Sequence, residues 1–208
     1  MDSRERIRQK ATELFMRLGI RSVSMDDIAT CLGMSKKTIY QYFSEKDELV
    51  DAVMEADIQK MQDQCDMVLR RSRDAVEEIL LTLDTIIEQF RNLNPIVLHD
   101  LEKFHHQASM KLQRHKTEYL MQVIRHNLER GKAEGLYRPE IDVDIISRYR
   151  LESMMLPFDL DLFPPSKYNL LEVSVQILEH FLFGLATPGG HQLIRVYQKE
   201  RIPQTKSL

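Results

Sequence analysis

Ser24-Met-Asp-Asp-Ile-Ala-Thr-Cys-Leu-Gly-Met-Ser-Lys-Lys-Thr-Ile-Tyr-Gln-Tyr-Phe-Ser-Glu-Lys-Asp-Glu-Leu49 contains two short helical segments separated by a tight break. Ser24 followed by Asp27 has the S-x-x-D form of a capping box, with two acids at the positive end of the helix that it starts. Ile28, Ala29 and Leu32 recur on one face of that helix, and Gly33 supplies the residue best suited to a left-handed C-cap. One residue later Ser35 caps the next helix, and Ser44 with Asp47 repeats the S-x-x-D signal for another starting near Glu45. Two helices of about eight residues joined by a glycine-containing turn make a helix-turn-helix, with Ile28, Ala29, Leu32, Met34 and Ile39 at the packing positions.

The polar face of the second of these helices carries the chemistry. Lys36 and Lys37 lie in its first turn, where cations oppose the helix dipole, a cost that an anionic partner reverses. Thr38, Tyr40, Gln41 and Tyr42 add hydroxyls, an amide and aromatic faces, the groups that reach base edges and phosphate oxygens.

Working outward, Ile7, Ala11, Leu14, Phe15 and Leu18 recur at steps of three and four up to Gly19, which predicts a helix in front of the motif. Behind it the spacing predicts a helix to about Arg71, an amphipathic one from Val76 to Phe90, a break at Asn94-Pro95, and two more before Gly131. A helix over 141–156, a loop over 157–165 and a helix over 169–186 follow. The expected fold is all-α with nine or ten helices: a three-helix DNA-binding domain over 1–48 and a larger helical domain over 49–208.

Composition narrows the function classes. The 208 residues are 43% hydrophobic and 29% charged, with seven Gly and seven Pro, and no apolar run approaches the roughly 20 residues of a membrane span. The charged opening lacks an apolar core, so a cytoplasmic location without membrane partners is expected. Cys31 and Cys65 form no CxxC pair and are read as reduced and structural. A net charge of −3 is low for a DNA binder, but one short element needs only a local basic patch. His99, His105 and His106 lack metal-ligand spacing, and no nucleophile elbow, zincin motif or phosphate-cradling glycine loop occurs. Neither a metal, a cofactor nor a catalytic residue is therefore assigned, and the chain is not expected to be an enzyme.

Residues 4–55 resemble the DNA-binding domain of the TetR family of bacterial repressors. Ala11-Thr-Glu-Leu-Phe15, Gly19-Ile-Arg-Ser-Val-Ser-Met-Asp-Asp-Ile-Ala29 and the run from Met34 to Leu49 carry the likeness. The resemblance implies that Lys36, Lys37, Thr38 and Gln41 face the major groove, with Tyr40 and Tyr42 near the backbone. It implies phosphate contacts for Lys46 and for Ser24 with the free N–H groups of its helix. Lys37 stands where many members have Gly or Pro, which leaves the preferred base sequence open.

The resemblance further implies a repressor that binds a palindromic double-stranded DNA operator as a homodimer and is released by a small-molecule effector. It assigns effector binding and dimerisation to the helical domain over 49–208. Phe90, Phe104, Tyr119 and Val123 are candidates for an effector cavity, or else ordinary core. The 169–186 helix has apolar residues around most of its circumference, an excess to be buried within the chain or against a second copy. The family's pairing of late helices favours the second copy, with Leu171, Val175, Leu178, Leu182 and Phe183 at the contact. Rival readings are an activator, an effector-independent DNA binder, and an all-α enzyme or interaction domain.

Overall fold

The computed structural model describes residues 2–91 and 93–205. Among them the fold is all-α, with an isolated bridge between Tyr137 and Ala186 and no strand. Eleven α-helices are present: α1 (Ser3–Leu18), α2 (Met25–Leu32), α3 (Lys36–Tyr42), α4 (Lys46–Arg71), α5 (Ala75–Phe90), α6 (Ile96–Phe104), α7 (His106–Arg114), α8 (Met121–Ala133), α9 (Val143–Ser153), α10 (Leu170–Leu185) and α11 (Pro188–Thr205). A π-helical turn, His115–Leu120, follows α7 and runs directly into α8 in sequence; counted as one continuous helical stretch, these bring the described residues to ten. The sequence reading placed no bounds on a helix after Ala186, where α11 lies. Its Pro188 suits the first turn of a helix, and Gly190 lets the backbone pass Leu136, whose carbonyl oxygen a Cβ would meet at 2.3 Å.

Contacts divide the chain into two compact units: residues 1–62 with 89–117, and residues 63–88 with 118–208. The first unit thus adds 89–117 to the N-terminal helices, a grouping that differs from the functional division drawn at 48/49. Its core is formed by Ile7, Ala11 and Phe15 of α1, Ile28 of α2, Ile39 of α3, Phe43, Leu49 and Val53 of α4, and Leu101 of α6. α1 stops at Gly19, whose φ of 87° and ψ of 150° only glycine adopts without strain, and a Cβ there would lie 2.6 Å from Ile96.

The second unit closes around Tyr137, 1% exposed, whose hydroxyl reaches the Ala75 carbonyl at 2.9 Å and Asn127 at 3.1 Å. Leu80, Leu128, Leu178, Leu182 and Ile194 pack in the same cluster. Gly131 makes that packing possible, since a Cβ there would sit 2.1 Å from the Tyr137 ring. Both cysteines are thiols: Cys31 is exposed, and burial pushes the half-buried Cys65 up to about 11.

Candidate nucleic-acid interface

The short helices are fixed by the caps that the sequence signals. Ser24 accepts from the Asp27 N–H at 3.1 Å while its own N–H donates to Asp27 at 2.8 Å, a complete capping box. Gly33, with φ of 63°, ends α2, and the Met34 N–H bonds back to the Ala29 carbonyl at 3.0 Å. Ser35 accepts from the Thr38 N–H at 3.1 Å and starts α3. The expected pairing of Ser44 with Asp47 does not form. Ser44 donates its N–H and hydroxyl to Glu48 instead, at 2.7 and 2.9 Å, while Asp47 lies 2.8 Å from His105 Nδ1. One residue of offset is enough, because Asp47 has a tertiary partner that the sequence pattern does not show.

α3 has a clean division of faces. Ile39 and the adjoining Phe43 are fully buried, whereas Lys36, Lys37, Tyr40 and Gln41 are exposed. Lys36 reaches Asp26 of α2 at 2.9 Å and lies 5.9 Å from the Tyr40 ring centre, so the carboxylate raises its pKa and it stays fully charged. Thr38 is half-buried and turned to its cap, with its hydroxyl 2.8 Å from that of Ser35. Tyr42 is half-buried against the core.

Lys46 is not freely solvated. Its ammonium donates to the Ile20 carbonyl at 2.6 Å and lies 5.8 Å from the Phe15 ring centre, and burial lowers its pKa. That bond ties the start of α4 to the loop between α1 and α2. The bond uses one of the three N–H donors of the ammonium. Arg4, which sequence reasoning passed over, lies 4.4 Å from the Phe43 ring centre and 3.4 Å from Glu48, at the end of α3. Its only sequence signal is a basic residue early in α1, and the contact with Phe43 is tertiary.

Segment 89–117 is latched onto these helices at several points. Asn94 donates its N–H to the Met16 carbonyl at 2.7 Å, Arg21 donates its N–H to Asp100 at 2.9 Å, and Lys111 lies 3.5 Å from Asp51 and 3.4 Å from Glu55. Of the histidines noted in sequence, His105 is buried on Asp47 while His99 and His106 are exposed, and among the described residues no group of three His, Cys, Asp or Glu side chains is arranged to hold a metal.

The four effector candidates fall in different units. Phe90 is half-buried and Phe104 is 42% exposed in the first unit, Phe104 lining an open cleft of about 420 Å³ with Arg21, His99 and Asp100. Tyr119, which donates to Asp66 at 3.1 Å, and half-buried Val123 belong to the second. Of the dimer candidates, Leu178 and Leu182 are 3% and 1% exposed, within the chain's own core, which leaves them no surface for a second chain. Leu171, Val175 and Phe183 keep partial exposure, and the Phe183 ring lies edge-on to His191.

Residues 7–53 match the family model described as bacterial regulatory proteins, tetR family. The chain carries a TetR-family DNA-binding domain. Among curated relatives, the HTH-type transcriptional regulator YvaF of Bacillus subtilis is 37% identical over 92 residues, 44% of this chain and 48% of YvaF. The matched part thus spans about half of that relative's length. The HTH-type transcriptional repressor KstR2 of Mycobacterium tuberculosis is 24% identical over 156 residues, 67% of this chain and 71% of the repressor. These relatives are regulators, not enzymes.

Solved structures share the fold beyond the TetR domain. Bacillus subtilis FadR in complex with stearoyl-CoA superposes with a TM-score of 0.65 at 18% identity, covering 87% of this chain and 98% of FadR. A Saccharomonospora viridis regulator in complex with choline gives 0.73 at 16% identity, covering 89% and 98%. No helix among the described residues is long and apolar enough to cross a membrane.

Proposed function

We propose that the protein is a cytoplasmic transcriptional repressor that binds a palindromic operator as a homodimer and is released by a small molecule. The observation that carries this reading is the outer face of α3: Lys36, Lys37, Tyr40 and Gln41 exposed together on a helix whose inner residues Ile39 and Phe43 are fully buried. A short helix held this firmly presents these residues to the major groove on a backbone that needs no ordering on binding. Around it, Thr38 and Tyr42 flank the groove-facing residues. The N-terminus of α2 at Ser24 offers N–H groups to a phosphate. The unspent N–H donors of Lys46 serve another.

Dimerisation supplies the second recognition helix, set about 34 to 36 Å from the first for successive major grooves. On α9, Ile145 and Tyr149 are 64% and 50% exposed one turn apart, an apolar stripe that water disfavours. We assign the dimer contact to that stripe with the partly exposed Leu171, Val175 and Phe183 of α10. Repression follows the name of the KstR2 relative, and release by a ligand follows the stearoyl-CoA and choline complexes of the structural neighbours. Fluorescence anisotropy with duplexes from the gene's own upstream region tests the reading, alongside sedimentation of the free protein. Salt-sensitive, sequence-selective binding by a dimer supports it. Equal affinity for unrelated duplexes, or a monomer at micromolar concentration, overturns it.

A further inference from the structure

Among the described residues of the second unit, most buried polar side chains have partners within the chain. Glu78 is held by Arg130 at 3.0 Å, Asn127 donates to the Ala75 carbonyl at 3.0 Å, and Ser147, Ser153 and Ser174 each donate to a helix carbonyl. Arg150, on the inner face of α9, is 7% exposed. Its guanidinium carbon lies 5.1 Å from the ring centre of Phe181 on α10, itself 6% exposed. Among the described residues no carboxylate or carbonyl receives its N–H groups. The acid six residues back, Asp144, is taken by Arg125 and by Arg148 at 2.9 Å.

A buried guanidinium stays charged in a protein, so it needs a counter-ion. Burial pulls Arg150 down to about 10, which still leaves it protonated at neutral pH. The Phe181 face supplies a cation–π contact but accepts no hydrogen bond, so the planar fork keeps its donors for water or for a partner outside the chain that displaces it. A planar fork recognises carboxylate and phosphate oxygens in pairs. The buried residues of α9 and α10 include Leu151, Leu178 and Leu182, beside the serines already bonded to helix carbonyls.

We propose that Arg150 anchors the anionic group of an amphipathic effector, an organic carboxylate or phosphate carried on an apolar body, bound in the second unit. This rests on the effector-released reading above and names the class of effector. The test contains no DNA, so it fails independently of operator binding. Thermal unfolding of the full chain is followed with octanoate and octyl phosphate, beside 1-octanol and choline as neutral and cationic controls. Near 100 Kd, one or both anions should raise the Tm by roughly 5–10 °C, with the larger shift identifying carboxylate or phosphate, while both controls leave it within about 1 °C. Arg150→Met, which keeps apolar contact with Phe181, should abolish the shift, and Arg150→Lys, which keeps the charge but not the fork, should retain a reduced one. If Arg150→Met does not fold, the reduced shift in Arg150→Lys is the deciding arm. No shift with either anion, an equal shift with octanol, an undiminished shift in the variants, or a dimer lost in Arg150→Met by sedimentation overturns the proposal.

Discussion

Replacing Lys46 by methionine probes the tether it forms to Ile20 and the phosphate contact proposed for it. The methionine keeps most of the stem against Phe15 but removes the ammonium that donates to the Ile20 carbonyl at 2.6 Å. A hydrogen bond to a charged group contributes about 1.5–3 kcal/mol when buried. Here the lysine is only half-buried and water can reach the freed carbonyl, so about 1–1.5 kcal/mol is expected, a Tm lower by roughly 2–6 °C in a chain of this size. The second role is electrostatic. Each phosphate neutralised contributes about 0.9 to the slope of log K against log salt, and the proposed dimer would lose two such contacts. The slope should therefore fall by about 1.8, and at 0.15 M salt affinity should drop roughly 30-fold for every duplex alike. Calorimetry gives the first quantity and anisotropy titrations at several salt concentrations give the second. An unchanged slope refutes the phosphate contact and leaves Lys46 a loop tether; an unchanged Tm refutes the energetic weight given to the Ile20 bond.

Gln41→Ala should weaken operator binding by about 1–3 kcal/mol and relax discrimination at one base position, with stability within about 0.5 kcal/mol because the side chain is exposed; uniform loss across all duplexes would place it on the backbone instead. Ile145→Lys should convert the dimer to a folded monomer in sedimentation, since two-fold symmetry buries the new charge twice. It is a cleaner probe than Phe183→Lys, because Phe183 also packs on His191 and the core of its own chain. Burial pushes Asp57 up to about 6 from an ordinary 3.8, against the pull of Lys60 and Arg8. The fold thus favours the protonated acid, so the contribution of Asp57 to stability should be most favourable below pH 4, fall as pH rises to about 6, and level off above. Asp57→Asn should remove that fall and gain about 1–3 kcal/mol at pH 7 by urea titration. An identical pH profile in the variant would show that Asp57 is solvated.

What the sequence determined by itself was local. Ser24 with Asp27, Gly33 and Ser35 act within a few residues of themselves, so their capping roles follow from spacing alone, and the bounds of α2 and α3 with them. The same holds for the outer face of α3, because buried Ile39 and Phe43 fix by helical geometry which neighbours point away. Partners far apart in the chain were decided only by tertiary structure. Asp47 has the right spacing for a cap yet pairs with His105, 58 residues away, and Lys46 spends a donor on Ile20. An apolar periodicity tells that a helix has surface to bury but not against what. Leu178 and Leu182 turn into their own core while Ile145 and Tyr149 stay outside. Arg150 is the extreme case: an arginine in a charged helix reads as solvated surface, and only the packing of α9 and α10 places it under the surface without a counter-ion.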